Sequence, residues 1–517
     1  MDKSLIDELK SRGMDSLPSR HGASGADAEG PKKRTAYIAL GSNLGDRVAM
    51  IEQACREMDS RGIKVKQTSS LWETEPMYVL GQDRFVNGAC EVETELEPLP
   101  LLDALQDIEK SMGRKKIIDK GPRNIDLDIL LYEGKTVSHE RLVIPHPLIT
   151  ERRFVLQPLA ELIPHLPLDP GRPWKMVQDY LNELPPPPTP TQELSTLTPL
   201  RASAPPLNAL RPTRPTQIMA ILNVTPDSFS DGGVHYPPSQ VKLQNDGAGD
   251  FSFESSLSPG YSEALSSTVR RFITSGATLI DVGGQSTAPG APEVSVTEEL
   301  SRVIPAISLI RSLPEASHVA ISVDTYRASV AEAAVKAGAD IVNDVSAGLL
   351  DKEMLPTVAR LGCTVCLMHM RGTPATMSQM NHYPDGLIPT LASELRERVM
   401  AAQAAGVRRW RIILDPGMGF SKVGNQNLDI LRGMPYLRNF HGLEGLPWLL
   451  GSSRKSFIGK ITGVTKPEDR AYGTAATVTA AVQGGADIVR VHDVFEMGHV
   501  VKMADAIYRG TDTSALS

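Results

Sequence analysis

The spacing of apolar residues changes part-way along the 517-residue chain, and the change divides it in two. From Thr35 to about Leu184 the pattern predicts a strand at AYIAL, then a helix on which Ile51, Ala54, Cys55 and Met58 share one face. Strand-like runs follow at VKQTSSLWET and FVNGACEVETEL. A second helix is carried by Leu101, Leu102, Leu105 and Ile108, and NIDLDILLY closes the series as a strand. The order βαββαβ predicts a ferredoxin-like α+β sandwich, with helices covering one face of a mainly antiparallel sheet.

From 217 to about 511 the apolar runs are shorter, and nearly every one ends on a polar residue. They are IMAILN, TLIDVGG, VAISVDT, DIVNDV, TVCLMHM, RIILDPG, PWLLGSSRKS and ADIVRVHD. Helix-periodic segments lie between them, such as Val330, Ala334, Val335 and Ala337, or Ala475 to Val482. Eight strands alternating with helices predict a C-terminal TIM (β/α)8 barrel, whose active site gathers at the C-terminal strand ends.

Three stretches show no such periodicity. Residues 185–216 are proline-rich and read as a linker, stiff and extended at Pro185 to Pro188 and looser beyond. The polar run 235–263 reads as a mostly disordered insertion after the first barrel strand, and residues 1–34 as a disordered N-terminal segment. That segment carries Asp2, Asp7, Glu8, Asp15, Asp27 and Glu29, too much acid for a transit peptide, and it has no apolar core for a signal peptide. A cytoplasmic enzyme is expected, with mitochondria as the alternative.

A net charge of −7 leaves no overall positive field for nucleic acid or an anionic membrane, and no run of 18 apolar residues exists to span one. Anionic substrates must therefore be held locally. The four cysteines are too few and scattered for a disulfide framework, and Cys363 and Cys366, a CxxC inside an apolar run, read as buried strand residues rather than metal ligands.

The densest chemistry in the first half is GPRNIDLDILLY. On a strand, Asp126 and Asp128 point to one face and Ile125, Leu127 and Ile129 to the other. Two carboxylates aimed at one spot suit Mg²⁺, which completes its shell with phosphate oxygens and water. Arg123 just before the pair and Arg114 after the preceding helix add the cations that phosphate transfer requires. No Walker A sequence is present. In the second half, Asn223, Asp281, Asp324, Asn343, Asp344, His369, Asp415, Ser453, Arg454, Lys455, Arg490 and His492 would all meet at one barrel mouth. That is more polarity than stability needs, and it fits a polar heterocycle bound beside an anion.

These residues fall within motifs that resemble two families. GSNLGDR (41–47), Pro76, Asn87, IEKSMGR (108–114), GPRNIDLDIL (121–130), IPHP (144–147) and RRFVLQPL (152–159) resemble 6-hydroxymethyl-7,8-dihydropterin pyrophosphokinase throughout residues 35–184. The resemblance implies transfer of a pyrophosphoryl group from ATP to a pterin hydroxymethyl, with two Mg²⁺ at Asp126 and Asp128. It implies that Glu109, Arg114, His146 and Arg152 handle ATP, with Arg114 and Arg123 catalytic, and that Thr74, Asn87 and Phe154 line the pterin pocket. Lys120 stands where some members place a tryptophan.

NVTPDSFSDGG (223–233), IDVGGQST (280–287), SVDT (322–325), VNDVS (342–346), LMHM (367–370), LDPGMGFSK (414–422), SSRKSFIG (452–459) and RVHDV (490–494) resemble dihydropteroate synthase across the barrel. The resemblance implies condensation of the pterin pyrophosphate with p-aminobenzoate. Asp324, Asn343, Asp415 and Lys455 would hold the pterin, with Asp324 and Lys455 catalytic. Asn223, Arg490 and His492 would hold pyrophosphate, with one further Mg²⁺ at Asn223. Phe229, Thr287, Pro289, Phe420 and Ser453 would form the p-aminobenzoate pocket. Ala288 replaces the motif's arginine.

The combined expectation is a bifunctional folate-biosynthesis enzyme, fungal-like and a homodimer through the barrel. The residues ahead of Thr35 are too few for the aldolase domain that precedes these two in some fungal proteins. The alternative is that one half is active and the other has decayed into a pterin-binding module.

Overall fold

A computed structural model describes residues 32–75, 82–114, 123–169, 171–186, 194–225, 242–245, 251–254, 257–285 and 293–510. Expectations for the first 31 residues, Pro76, Lys120, Phe229, Thr287, Ala288 and Pro289 lie outside them.

The first half is built on β1 (Arg34–Ser42), β2 (Lys64–Thr68), β3 (Leu71–Thr74), β4 (Phe85–Thr94) and β5 (Asp126–Tyr132). All neighbours are antiparallel, in the order β5, β1, β4, β3, with β2 also on β4. A short hairpin, β6 (Val137–His139) and β7 (Leu142–Ile144), follows. The single strand expected at VKQTSSLWET is two, because the Ser69 hydroxyl accepts from the Ala89 N–H (2.9 Å) and donates to the Ser70 carbonyl (2.7 Å) at the break. Helices Arg47–Ser60 and Pro98–Ser111 bury Ile51, Ala54, Cys55, Met58, Leu101, Leu105 and Ile108 against one sheet face.

The opposite face is also covered, where helices on one side only were expected. Alternation in β5 ends at Ile129, where a bulge in the pairing with β1 lets the consecutive Leu130 and Leu131 both pack on the second face. Helices Arg153–Leu162 and Val177–Glu183 cover the second face with Leu156, Leu159 and Val177.

The proline-rich stretch is not a free linker. β8 (Ser195–Leu197) adds an edge strand to β3, an edge being where a strand flanked by prolines fits. Leu200 and Leu207 then enter the foot of the barrel, and Arg214 Nε meets the buried Asp487 Oδ1 at 2.6 Å. The segment's few leucines outweigh its many prolines, because each buried leucine contributes roughly 1.5–3 kcal/mol.

The barrel strands are β9 (Gln217–Asn223), β12 (Leu279–Gly283), β13 (Ala320–Asp324), β14 (Ile341–Asp344), β15 (Thr364–Met368), β16 (Ile412–Asp415), β17 (Leu449–Leu450) and β18 (Ile488–Val491). They are parallel, and a bridge between Leu414 and Trp448 closes the ring from β16 to β17. Met219, Leu279, Ala320, Ile341, Cys366, Ile413, Leu449 and Ile488 fill the interior layer nearest the foot. Cys363 and Cys366 are buried free thiols, with burial pushing both up from their ordinary range.

Within the insertion, β10 (Lys242–Asn245) and β11 (Phe251–Glu254) pair antiparallel. Pro259–Thr274 is already helix, with Ser258 as its N-cap, so the insertion ends earlier than 263.

Candidate active sites

In the first half the strand register sets the site. β5 runs beside β1 with Asp126 opposite Gly41 and Asp128 opposite Ala39, so both carboxylates face a cavity of about 230 Å³. Thr74, Asn87, Arg123, His146, Arg152 and Phe154 line the same cavity. Asn87 Nδ2 donates to Thr74 Oγ1 at 2.9 Å, which fixes the amide carbonyl as the group left for a ligand. Glu109 and Arg114 stand behind this wall. Glu109 accepts from the Leu127 N–H at 2.8 Å and pairs with Arg114, which also reaches Asp126 Oδ1 at 2.7 Å.

Arg123 Nη1 holds the other Asp126 oxygen at 2.6 Å. Asp126 is thus satisfied by two guanidinium groups, whereas no described residue donates to Asp128. The Asp128 carboxyl is pushed up to about 7 by the protein mass around it and by the charges of Asp126 and Glu109, although water reaches it through the cavity. Burial, then Arg152, pulls His146 down, so its ring is neutral. Asn43, within GSNLGDR, carried no expected role of its own. The buried Asn43 side chain accepts from the Arg123 N–H at 2.8 Å and donates to Gln82 at 3.1 Å, so it fixes the backbone of Arg123 just ahead of β5.

At the barrel mouth, Asn223, Gly283, Asp324 and Asn343 occupy one rung of neighbouring strands. Arg490 crosses from β18 and donates to Asp281 Oδ2 at 2.6 Å and to Asp324 Oδ2 at 2.7 Å; Asn343 Nδ2 also donates to Asp281, at 3.1 Å. Burial opposes the Arg490 charge, but the two aspartates outweigh it and hold the guanidinium above its usual value. Asp324 is pushed up to about 7 by burial, against the pull of Arg490. The second carboxylate oxygens of Asp281 and Asp324 are buried with no hydrogen-bond partner, which is costly unless a ligand supplies donors.

Asp415 ends β16 and accepts from the Gly417 N–H at 2.7 Å, with burial pushing its carboxyl up. Lys455 reaches over from the β17 loop. Its ammonium donates to the Met418 carbonyl, lies 4.5 Å from the Phe420 ring centre, and is drawn down to about 8 by burial, against the attraction of Asp415. Ser453 Oγ is 3.0 Å from His492 Nδ1, and burial takes His492 down to about 4, so it acts as a neutral ring.

Three strand-end residues turn away from the mouth. Asp344 caps its own turn, accepting from the N–H groups of Ser346 and Gly348, and Arg454 pairs with Asp493. His369 lies between Lys422 Nζ, 2.8 Å from Nδ1, and Glu394, 2.7 Å from Nε2. Burial lowers both His369, to about 4, and Lys422. The buried Lys422, the last residue of LDPGMGFSK, carried no assignment in the sequence; it ties the loop bearing Asp415 and Phe420 to the end of β15. Among the described residues no group of three or more His, Cys, Asp and Glu side chains could hold a metal ion, and no helix is long and apolar enough to cross a membrane.

Comparison with known proteins matches residues 37–164 to the 7,8-dihydro-6-hydroxymethylpterin-pyrophosphokinase family and residues 248–492 to the pterin binding enzymes. The folic acid synthesis protein fol1 of Pneumocystis carinii is 44% identical over 481 residues, 92% of this chain. The chain spans 60% of the length of that protein and of its Schizosaccharomyces pombe counterpart. The mitochondrial folate synthesis bifunctional protein of Arabidopsis thaliana is 39% identical over 500 residues, covering 91% of this chain and 83% of that one. A crystal structure of Plasmodium falciparum HPPK-DHPS with pteroate superposes with a TM-score of 0.73 over 95% of this chain and 98% of that chain, at 21% identity, and shares the fold. Similarity of this extent, over most of both chains, means that the protein belongs to the folate synthesis bifunctional family, which joins a hydroxymethylpterin-pyrophosphokinase domain to a pterin-binding barrel.

Proposed function

We propose that the chain carries out two consecutive steps of folate synthesis. The first half moves a pyrophosphoryl group from ATP to the hydroxymethyl oxygen of 6-hydroxymethyl-7,8-dihydropterin and releases AMP. The barrel then condenses that product with p-aminobenzoate, giving 7,8-dihydropteroate and pyrophosphate. The observation that carries this reading is the pairing of sites, one with carboxylates and arginines around a cavity and one with buried, under-satisfied carboxylates beside a lysine and an arginine.

In the first site, Thr74, Asn87 and Phe154 hold the pterin, while Glu109, Arg114, His146 and Arg152 serve the nucleotide. Arg114 and Arg123, parked on Asp126, are the cations available to phosphate oxygens. The residues fit Mg²⁺, because Asp126 and Asp128 stand side by side on β5 facing one open cavity, and no described residue donates to Asp128. A metal bound there would supply Lewis-acid neutralisation of the phosphates.

In the barrel, Asp415 and Asn343 pair with the amino-pyrimidine edge of the pterin, and Asp324 and Lys455 complete its hydrogen bonds. Arg490 is aimed by its two aspartates and keeps Nη1 for the leaving pyrophosphate, with Asn223 and the neutral His492 as further contacts. Catalysis here is stabilisation of a departing anion, so no strong base is required. Asn223 offers one amide oxygen and is a poor metal cage by itself, so no step depends on a metal there. Phe420 and Ser453 stand on the p-aminobenzoate side, with Phe229, Thr287 and Pro289 proposed to complete that pocket.

A homodimer through the barrel is supported by Phe495, Met503 and Ile507, exposed at helical spacing on the last helix, and sedimentation of the purified chain tests it. The acid content of residues 1–34 favours the cytoplasm, which cell fractionation would test. The activity itself is tested by supplying hydroxymethyldihydropterin, ATP, Mg²⁺ and p-aminobenzoate to purified protein. AMP and dihydropteroate are both expected; AMP without dihydropteroate, or neither, contradicts the proposal.

A further inference from the structure

Four consecutive residues at the foot of the barrel, Arg408 to Arg411, place their side chains against the N-terminal half. Arg408 Nη2 meets Asp59 Oδ2 at 3.1 Å, and Arg411 grips Glu52 through Nε at 2.7 Å and Nη2 at 2.8 Å. Trp410 is buried within the core of the N-terminal half and donates Nε1 to Glu52 at 3.1 Å. The segment leads directly into β16, so it is barrel by sequence and pyrophosphokinase by packing.

Arg409 reaches deepest. It is buried, its Nε lies 3.1 Å from Glu161 Oε2 and 3.2 Å from Ser70 Oγ, and its backbone N–H donates to Thr68 Oγ1 at 3.0 Å. The other guanidinium nitrogens donate to the carbonyls of Gly442 (3.1 Å) and Glu444 (3.0 Å), so the head is held from the barrel side as well. Glu161 in turn accepts from the Ser70 N–H at 2.6 Å and from Trp72 Nε1 at 2.8 Å.

These partners belong to the two walls of the N-terminal cavity. Glu161 is in the last turn of helix Arg153–Leu162, whose first turn carries Phe154 and Val155 into the cavity; Trp72 is on β3, which ends at Thr74 on the opposite wall. A helix transmits a shift at one end to the other, and an error of about 1 Å in a binding wall is enough to cost activity. Glu161 is the only carboxylate joining helix to strand here among the described residues, and a buried carboxylate holds such a place only while its charge is compensated.

We infer that Arg409, a residue of the barrel, is a positioning residue for the pyrophosphokinase site: by compensating Glu161 it fixes helix Arg153–Leu162 to β3 and sets the spacing of the cavity walls. The inference rests on the reading of this cavity as the pyrophosphokinase site, and the wild-type control separates the two. A wild-type chain that releases no AMP contradicts that reading, whereas an active wild type with unaltered variants contradicts only the role of Arg409.

The test uses the full chain with Arg409→Met, Glu161→Gln and both together, each checked for folding by circular dichroism. Each single variant is expected to raise KM for the pterin or ATP about three- to thirtyfold with kcat within about twofold, the signature of lost binding geometry. Synthase kcat/KM should be unchanged. The double variant, which buries no lone charge, should lie closer to wild type than either single one. If Arg409→Met does not fold, Glu161→Gln decides by the same KM criterion. An unchanged KM, a parallel loss of both activities, or a double variant no better than the singles would overturn the inference and leave Arg409 as a bond that merely holds the halves together.

Discussion

Asp128 and Lys455 are the residues whose surroundings most directly set expected behaviour. Asp126→Ala and Asp128→Ala should each lower AMP formation more than a hundredfold, about 2.7 kcal/mol in the barrier, while condensation of supplied pterin pyrophosphate stays intact. Rapid-quench assays of the two reactions separate these effects. For Lys455, held at about 8, the charged form is present below that pH and lost above it, so synthase kcat/KM in the free enzyme should fall as pH rises through 8. Arg does not titrate there, so Lys455→Arg should remove the alkaline limb even if its peak rate is lower; a limb unchanged in that variant would assign it to another group. The sequence set Arg114 and Arg123 beside Asp126, and both pair with it. Other partners were not legible. The sequence placed Asp344 and His369 at strand ends, but a turn of N–H groups claims one and Lys422 with Glu394 claims the other.

Among the elements, strands and helices with clear periodicity came through, including all eight barrel strands, because burial enforces the alternation that was read. What escaped was the proline-rich stretch, whose composition signals a spacer while Leu200, Leu207 and Arg214 tie it to the barrel. Arg214→Met would strand the buried Asp487, which also accepts from the Trp448 N–H at 2.8 Å, so a loss of about 3–5 kcal/mol is expected in urea denaturation. A loss under about 1 kcal/mol would return the stretch to a passive spacer. Trp410→Ala empties a core site in the other half and should cost about 3–5 kcal/mol, with pyrophosphokinase activity failing on heating before synthase activity. Such contacts join residues more than 250 positions apart, and no local pattern encodes them.

At the scale of the whole molecule, the two sites lie at opposite ends of the barrel strands. The pyrophosphokinase half docks at the foot, through Arg408 to Arg411, while Asn223, Asp324, Asn343 and Asp415 stand at the far ends. The barrel interior between them is packed with side chains, including Leu200 and Leu207, so it offers no passage for a pterin pyrophosphate. On the proposed function, the product of the first site would not reach the second through the barrel core. The measurement that tests two complete and separate sites most directly is complementation between full chains: Asp128→Ala mixed with Asp415→Ala, supplied with hydroxymethyldihydropterin, ATP, Mg²⁺ and p-aminobenzoate. Each variant alone should make almost no dihydropteroate from these substrates, and the mixture should restore it, since each chain provides the step that the other lacks. Two folded variants that stay inactive when mixed would contradict the account.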